Sequence, residues 1–194
     1  GRIEDGAFGS FDEFFVAFMQ QFKFLIDNAA EYNNMLGEAH RVMRPTPFLS
    51  GLIQGSIESA RDVTDGGAKY NSSGVACIGL ADVTDSLMAV KKLVFEDGRV
   101  PFEEVKKAVD ANFDGAEFLH ALVSKKAPKF GSGDPEAIAL ANEVARFAHE
   151  TYAAHTNYRG GKYATGFWSL ANHVAFGSLA GALPSGRLAG KAFT

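Results

Sequence analysis

The sequence predicts an α/β fold with parallel strands, and three observations support this prediction. Several segments repeat apolar residues every three or four positions, which is typical of amphipathic helices. Two other stretches alternate polar and apolar residues as strands do, and several helical segments separate them. Strands that are separated by helices favour a parallel arrangement, because each connection must return to the same end of the sheet. Two strands cannot bury both faces of a parallel sheet by themselves, so we expect partner strands from elsewhere.

The first predicted element is a long helix that follows Ser10 and continues to about residue 42. Ser10 and Glu13 have the spacing of a capping box. Apolar residues at intervals of three and four predict that one face of this helix is buried. The prolines of segment 44–47 end the helix, and a short helix is predicted over residues 48–58. The apolar face consists of Phe14, Phe15, Phe18, Phe22, Leu25, Ile26 and Ala29.

The first strand is predicted over residues 68–78, after a turn at residues 65–67. Its polar face carries Asn71 and Ser73, and Gly74 is expected to interrupt it.

Four helices are predicted in the middle of the chain, each from a local start signal. Asp82 has the position of an N-cap for the first of them, and Asp134-Pro135-Glu136 begins the last. The predicted ranges are 83–95, 101–111, 116–125 and 135–152.

The second strand is predicted over residues 162–176, after a loop at residues 158–161. Alternation places Trp168 and Asn172 on one face of this strand, and Phe167 and His173 on the other. Residues 181–190 are rich in turn formers and are predicted to be irregular.

The composition excludes several functional classes. The chain of 194 residues is 46% hydrophobic and 22% charged, with a net charge of -4, which is ordinary for a globular protein. Dispersed lysines argue against a nucleic-acid partner. No apolar run approaches the roughly 18–20 residues that cross a bilayer, so no membrane partner is expected. One cysteine and five scattered histidines lack metal-ligand spacing, so no metal is expected. The pairs Gly66-Gly67 and Gly160-Gly161 lack phosphate-loop spacing, and no bound cofactor is expected.

The single cysteine, Cys77, has two interpretations. A nucleophile would need a neighbouring base or cation, and none is adjacent in the sequence. A buried, unreactive thiol is the favoured interpretation. The pair Lys91-Lys92 is expected to lie on a solvated helix face or to interact with the C-terminal end of the helix dipole. The residues by themselves therefore form no catalytic constellation, and a free-standing α/β binding domain is still an open alternative.

Several blocks, in their order and spacing, carry a resemblance to a known family. The sequence resembles the glycyl radical enzymes related to pyruvate formate-lyase over essentially its whole length. It looks like an internal piece, because the family's cysteine loop is expected before Gly1 and its glycyl radical loop after Thr194. The blocks are PTPFLS (45–50), DGGAKYN (65–71), ADVTDSL (81–87), KKLVFE (91–96), KAPKFG (126–131), RGGKY (159–163), HV (173–174) and GALPSGR (181–187).

The resemblance implies a fold and a chemistry. The family fold is a ten-stranded α/β barrel of two parallel five-stranded halves, so residues 1–194 would form part of one barrel domain. In the family, a separate enzyme that uses S-adenosylmethionine installs a radical on a glycine. A cysteine thiyl radical then takes hydrogen from the substrate. No catalytic residue of that kind is expected within this chain, and the thiyl role is not assigned to Cys77.

The resemblance also implies candidate substrate contacts. The late strand of related enzymes projects side chains towards the substrate, which makes Trp168 and Asn172 the first candidates. Asn71 and Ser73, on the polar face of the earlier strand, are the second.

The subclass implied is the dehydratase and C–S-lyase branch. The chain has GALPSGR where several family members have GATPDGR. We expect cleavage of a C–S or C–O bond of a small polar substrate, as in isethionate sulfite-lyase or glycerol and diol dehydratases. Implied partners are that substrate, the activating enzyme and a second copy in a homodimer. The implied location is the bacterial cytoplasm, with a microcompartment as one setting. The alternative is a non-catalytic, family-derived subunit or spare-part fragment.

Overall fold

The computed structural model describes residues 8–168 and 170–194, and these residues are mostly helical. They cluster into two units. The first unit contains residues 8–20, 77–146, 167–168 and 170–194, and the second contains residues 21–76 and 147–166. Position 169 of the predicted second strand lies outside the described residues.

The elements follow one another as helices with two intervening strands. They are α1 (Phe11–Met43), α2 (Pro47–Ser50), α3 (Ser56–Ser59), a 3₁₀ turn (Val63–Asp65), β1 (Ser73–Cys77), α4 (Leu80–Ala89), a π-helix (Val90–Glu96), α5 (Phe102–Asp110), α6 (Glu117–Lys126), α7 (Pro135–Ala154), β2 (Tyr163–Phe167) and α8 (His173–Leu179).

Helix α1 confirms the predicted long helix and its start. Glu13 N donates to Ser10 Oγ at 3.2 Å, and the Glu13 carboxylate accepts from Gly9 N at 2.8 Å. The predicted buried face is only partly right. Ile26 is buried, whereas Leu25 is 62% exposed and Ala29 is exposed too. The fully buried positions after residue 20 of α1 are Ile26 and Ala30, because the face that packs is rotated by about one residue from the predicted one.

The predicted short helix over residues 48–58 is wrong, because two one-turn helices replace it. Gly55 separates them with a φ of 101°, a conformation that glycine adopts without steric cost. A Cβ at this position would lie 2.7 Å from Lys69 N, so the chain also approaches closely here.

The sheet consists of β1 and β2, which run parallel. The predicted first strand was too long, since β1 begins only at Ser73. Asn71 explains the difference: its Nδ2 donates to Gly66 O at 3.2 Å and to Ala68 O at 2.8 Å. Such local side-chain bonds compete with a strand ladder. Gly74 lies within β1, so the expected interruption there is wrong.

The predicted second strand is also too long. Strand β2 ends at Phe167, and the chain turns into α8 at His173. Asn172 has helical backbone angles, and its carbonyl accepts from Phe176 N at 2.9 Å. The alternation across residues 170–176 therefore reflects a turn and a helix start. Periodicity in a short apolar stretch does not distinguish these possibilities.

Helix α4 begins earlier than predicted. Gly79, with a φ of 87°, occupies the N-cap position, and it reaches this conformation because it has no Cβ. Asp82 therefore lies inside the first turn, buried, and the prediction of Asp82 as the cap is wrong.

The later helices α5, α6 and α7 confirm their predictions within about two residues. For α7, Asp134 Oδ1 accepts from Glu136 N and Ala137 N, both at 3.0 Å, as an N-cap does. Together with α4 and the π-helix, α5 and α6 form the core of the first unit. Its buried residues are Ala89, Leu93, Val100, Val105, Ala108, Phe113, Leu119, Val123 and Ala127.

The pair Lys91-Lys92 is not a simple solvated face, contrary to the prediction. Lys91 Nζ lies 2.6 Å from Glu136 Oε1, and Lys92 also pairs with Glu136. Both lysines contact Glu96, at 3.4 and 2.6 Å. The hydrogen bond from Lys91, followed by that from Lys92, lowers the pKa of Glu136 to about 2. This four-residue cluster links the π-helix to the start of α7.

Replacement of Glu136 by glutamine should cost about 0.5–1 kcal/mol at pH 7, because the carboxylate is partly exposed and solvent screens the pairs. The folded pKa lies below the ordinary value of 4.5. The stabilisation is therefore present above about pH 4.5 and is lost as the pH falls towards about 2. Urea unfolding of both proteins at pH 7, 5 and 3 checks this. A difference that stayed constant down to pH 3 would contradict it.

Candidate substrate site

A cleft of about 220 Å³ lies where the two strands end. Its lining includes Cys77, the last residue of β1, and Phe167, the last residue of β2. Ligands of parallel α/β sheets characteristically bind beyond the carboxyl ends of the strands. All of the lining residues belong to the first unit. They are Cys77, Ile78, Gly79, Leu80, Ala81, Phe130, Phe167, Trp168 and Thr194.

Aromatic side chains supply much of the cleft wall. Phe130, Phe167 and Trp168 are 45%, 39% and 50% exposed, so a ligand can reach all three. The turn at Gly79 and the start of α4 supply a second part of the lining. None of the lining side chains is charged, so this wall offers van der Waals contact and one hydroxyl group, that of Thr194.

Cys77 lines the cleft and is half-buried. The sequence predicted full burial, so that prediction is wrong. Burial raises the pKa of the Cys77 thiol. The group is therefore a neutral thiol at physiological pH, which disfavours the nucleophile interpretation.

Thr194 lines the cleft and is held there by hydrogen bonds to the buried carboxylate of Asp82. Thr194 N donates to Asp82 Oδ2 at 2.8 Å, and its hydroxyl lies 3.3 Å from Asp82 Oδ1. Asp82 is only 3% exposed, and a buried carboxylate needs such partners. The two residues are 112 positions apart, so no local pattern indicated this contact.

Asn71 and Ser73 are the second pair of predicted substrate contacts, and both lie in the second unit. Each accepts a hydrogen bond from Asn157, a residue that the sequence analysis did not identify. Asn157 is buried, and its Nδ2 donates to Asn71 O at 2.5 Å and to Ser73 Oγ at 2.9 Å. Its Oδ1 accepts from Arg159 N and Gly161 N. An asparagine ahead of a glycine pair could have indicated this turn, because asparagine side chains bond to nearby backbone.

The four predicted substrate contacts therefore do not lie at one site. Trp168 lines the cleft. Asn172 is exposed and lies just before α8, not on a strand beside Trp168, so the predicted shared face is wrong. Neither Asn71 nor Ser73 is among the cleft-lining residues. Phe130 and Thr194 are lining residues that the sequence did not indicate.

Residues 8–168 and 170–194 contain neither a membrane-spanning helix nor a metal-ligand cluster. No helix there is both long and apolar enough to cross a membrane. Over the same residues, no group of three or more His, Cys, Asp or Glu side chains could hold a metal ion.

Comparison with known proteins decides the family. The model of the family described as pyruvate formate lyase-like matches residues 1–177. The chain belongs to this family. It is 34% identical over 184 residues to trans-4-hydroxy-L-proline dehydratase of Clostridioides difficile, covering 95% of this chain and 23% of that enzyme. It is 36% identical over 112 residues to isethionate sulfite-lyase of Bilophila wadsworthia, covering 58% of this chain and 13% of that enzyme.

Solved structures of the family confirm the fold. The glycerol-bound B12-independent glycerol dehydratase from Clostridium butyricum superposes with a TM-score of 0.92 at 37% identity, over 96% of this chain and 24% of that one. A structure from Roseburia inulinivorans concerned with 1,2-propanediol dehydration superposes with a TM-score of 0.93 at 35% identity, over 100% of this chain and 25% of that one. The predicted helix-rich part of a pyruvate formate-lyase type barrel is thereby confirmed. The chain spans about a quarter of the length of these relatives.

Proposed function

We propose that this chain is a segment of a glycyl radical dehydratase or lyase that cleaves a C–O or C–S bond of a small polar substrate. The observation that carries the proposal is the superposition on a glycerol-bound dehydratase over 96% of the chain, combined with a cleft at the carboxyl ends of both strands. Relatives named as dehydratases and as a sulfite-lyase support both bond types.

The chain's own residues would bind and orient the substrate. Trp168, Phe130 and Phe167 form walls that contact its carbon skeleton and exclude water, which strengthens polar contacts made elsewhere. Thr194 adds a hydroxyl whose hydrogen is donated to Asp82 and whose oxygen can accept from a substrate hydroxyl.

Asn172 stays a proposed contact alongside Trp168, and Asn71 and Ser73 stay the second pair of proposed contacts. Among the described residues, Asn71 Oδ1 is a buried acceptor without a hydrogen-bond partner, and a hydroxyl group that reached it would satisfy it.

The family's radical group supplies hydrogen-atom abstraction and return. For a diol, the net change is loss of water with formation of an aldehyde. For a sulfonate of the isethionate type, it is loss of sulfite. Neither net reaction needs an external oxidant or reductant. The proposed partners are the activating enzyme and a second copy of the polypeptide, and the proposed location is the bacterial cytoplasm.

The test is to purify the natural polypeptide that contains this chain anaerobically, after co-expression with a radical S-adenosylmethionine activating enzyme. We expect an intact mass several times the 20.8 kDa of this chain. We also expect a glycyl radical signal by electron paramagnetic resonance and turnover of glycerol, propane-1,2-diol or isethionate. An intact mass of 20.8 kDa without radical or turnover would overturn the enzyme proposal and favour the non-catalytic subunit.

A further inference from the structure

Phe130 belongs to the segment between α6 and α7, outside any helix or strand. Its ring lines the cleft. A loop residue places a ring reproducibly only if its backbone is held, because loops are otherwise more mobile than the elements they connect. The backbone N–H of Phe130 donates to Asp85 Oδ1 at 2.7 Å, across 45 positions of sequence.

Asp85 lies on α4, the helix whose first residues, Leu80 and Ala81, line another part of the same cleft. The Asp85 carboxylate thus connects two parts of the lining, although Asp85 is not itself a lining residue. Its side chain is only 16% exposed. The bond to Phe130 N–H is charge-assisted, and such bonds are shorter and stronger than neutral ones.

A lysine completes the arrangement. Lys129 Nζ lies 3.9 Å from Asp85 Oδ2 and donates to Ser185 O at 3.1 Å. Burial raises the pKa of Asp85 and lowers the pKa of Lys129, so each charge depends on the other as a partner. Two neighbouring residues of the loop, Lys129 and Phe130, are therefore held by one carboxylate.

We propose that Asp85 is a positioning residue for substrate binding: it fixes Phe130 in the cleft wall without touching the substrate. The proposal rests on the proposed function.

Three variants test the proposal in the full activated enzyme: Asp85→Ala, Phe130→Ala and the double variant. We expect each single change to raise KM about tenfold with kcat within about twofold, because both remove the same wall contact. The double variant should be no worse than Phe130→Ala alone, since coupled residues are not additive. Asp85→Asn should restore KM to within about threefold, because the amide oxygen still accepts from the Phe130 N–H. Asp110→Ala, at an exposed aspartate of α5, is the matched control and should leave KM unchanged.

Two results would overturn the proposal. One is an unchanged KM in Asp85→Ala despite lower stability, which would make the contact merely structural. The other is additivity of the two single changes. If the wild-type protein turns over no substrate, the proposed function fails, and amide hydrogen exchange decides the positioning claim separately. Exchange at Phe130 N–H should then be at least about tenfold faster in Asp85→Ala than in wild type, with the amides of α7 unaffected. An unchanged rate would disprove the contact.

Discussion

Replacement of Gly161 by alanine is expected to destabilise the second unit by about 3 kcal/mol or more. A Cβ on Gly161 would lie 2.0 Å from Asn71 O and 2.4 Å from Asn71 C, which are backbone atoms that cannot give way cheaply. Asn71 O is also the acceptor for Asn157 Nδ2. The displacement would therefore break the hydrogen bonds of a buried amide, and unpaired buried polar groups are costly.

Urea unfolding of the chain, followed by far-ultraviolet circular dichroism, measures this effect. The matched control is Gly74→Ala in β1, where a Cβ meets no atom within 4 Å. That change should alter the free energy of unfolding by less than about 1 kcal/mol, and in the stabilising direction, because glycine is unfavourable within a strand. Equal urea midpoints for Gly161→Ala and the wild type would show that Gly161 does not pack closely against the Asn71 backbone.

If the chain belongs to the proposed dehydratase or lyase, replacement of Trp168 by alanine is expected to raise KM of that enzyme by about 10- to 30-fold. Trp168 is half exposed and lines the cleft beside Phe167. Loss of an aromatic contact of this kind removes about 1.4–2 kcal/mol of binding free energy. The value of kcat should change by less than about threefold, because the radical chemistry is expected from residues outside this chain.

Steady-state kinetics with propane-1,2-diol and glycerol measure this effect. Trp168→Phe should retain most of the affinity, since a ring still fills the wall. The control is Phe118→Ala on α6, an aromatic residue that is 83% exposed and absent from the cleft lining. A KM for Trp168→Ala within twofold of wild type would remove Trp168 from the proposed site.

Helix starts were predictable because their signals are local. Ser10 with Glu13, and Asp134 ahead of Pro135, satisfy backbone N–H groups within one turn, as the structure shows. The strand lengths were not predictable in the same way. Asn71 bonds to carbonyl groups of its own loop, and alternation of residue types does not reveal that competition.

The cap of α4 shows a different kind of error. Asp82 has the residue type of an N-cap, but Gly79 can adopt a positive φ and starts the helix three residues earlier. Asp82 is then free to bind Thr194, which is distant in sequence. A local propensity was overridden by a tertiary contact, which is common for buried polar residues.

The sequence by itself determined the long helix α1 and the helices α5, α6 and α7, because their start signals lie within a few positions of one another. The order and spacing of its motifs also indicated the family. The sequence also indicated Trp168 as a candidate contact. The tertiary structure alone decided where the strands end, which residues line the cleft and which carboxylates hold them. Those outcomes depend on contacts such as that between Asp85 and Phe130, which are 45 positions apart. The spacing of residues in a sequence does not indicate which distant groups come into contact in the fold.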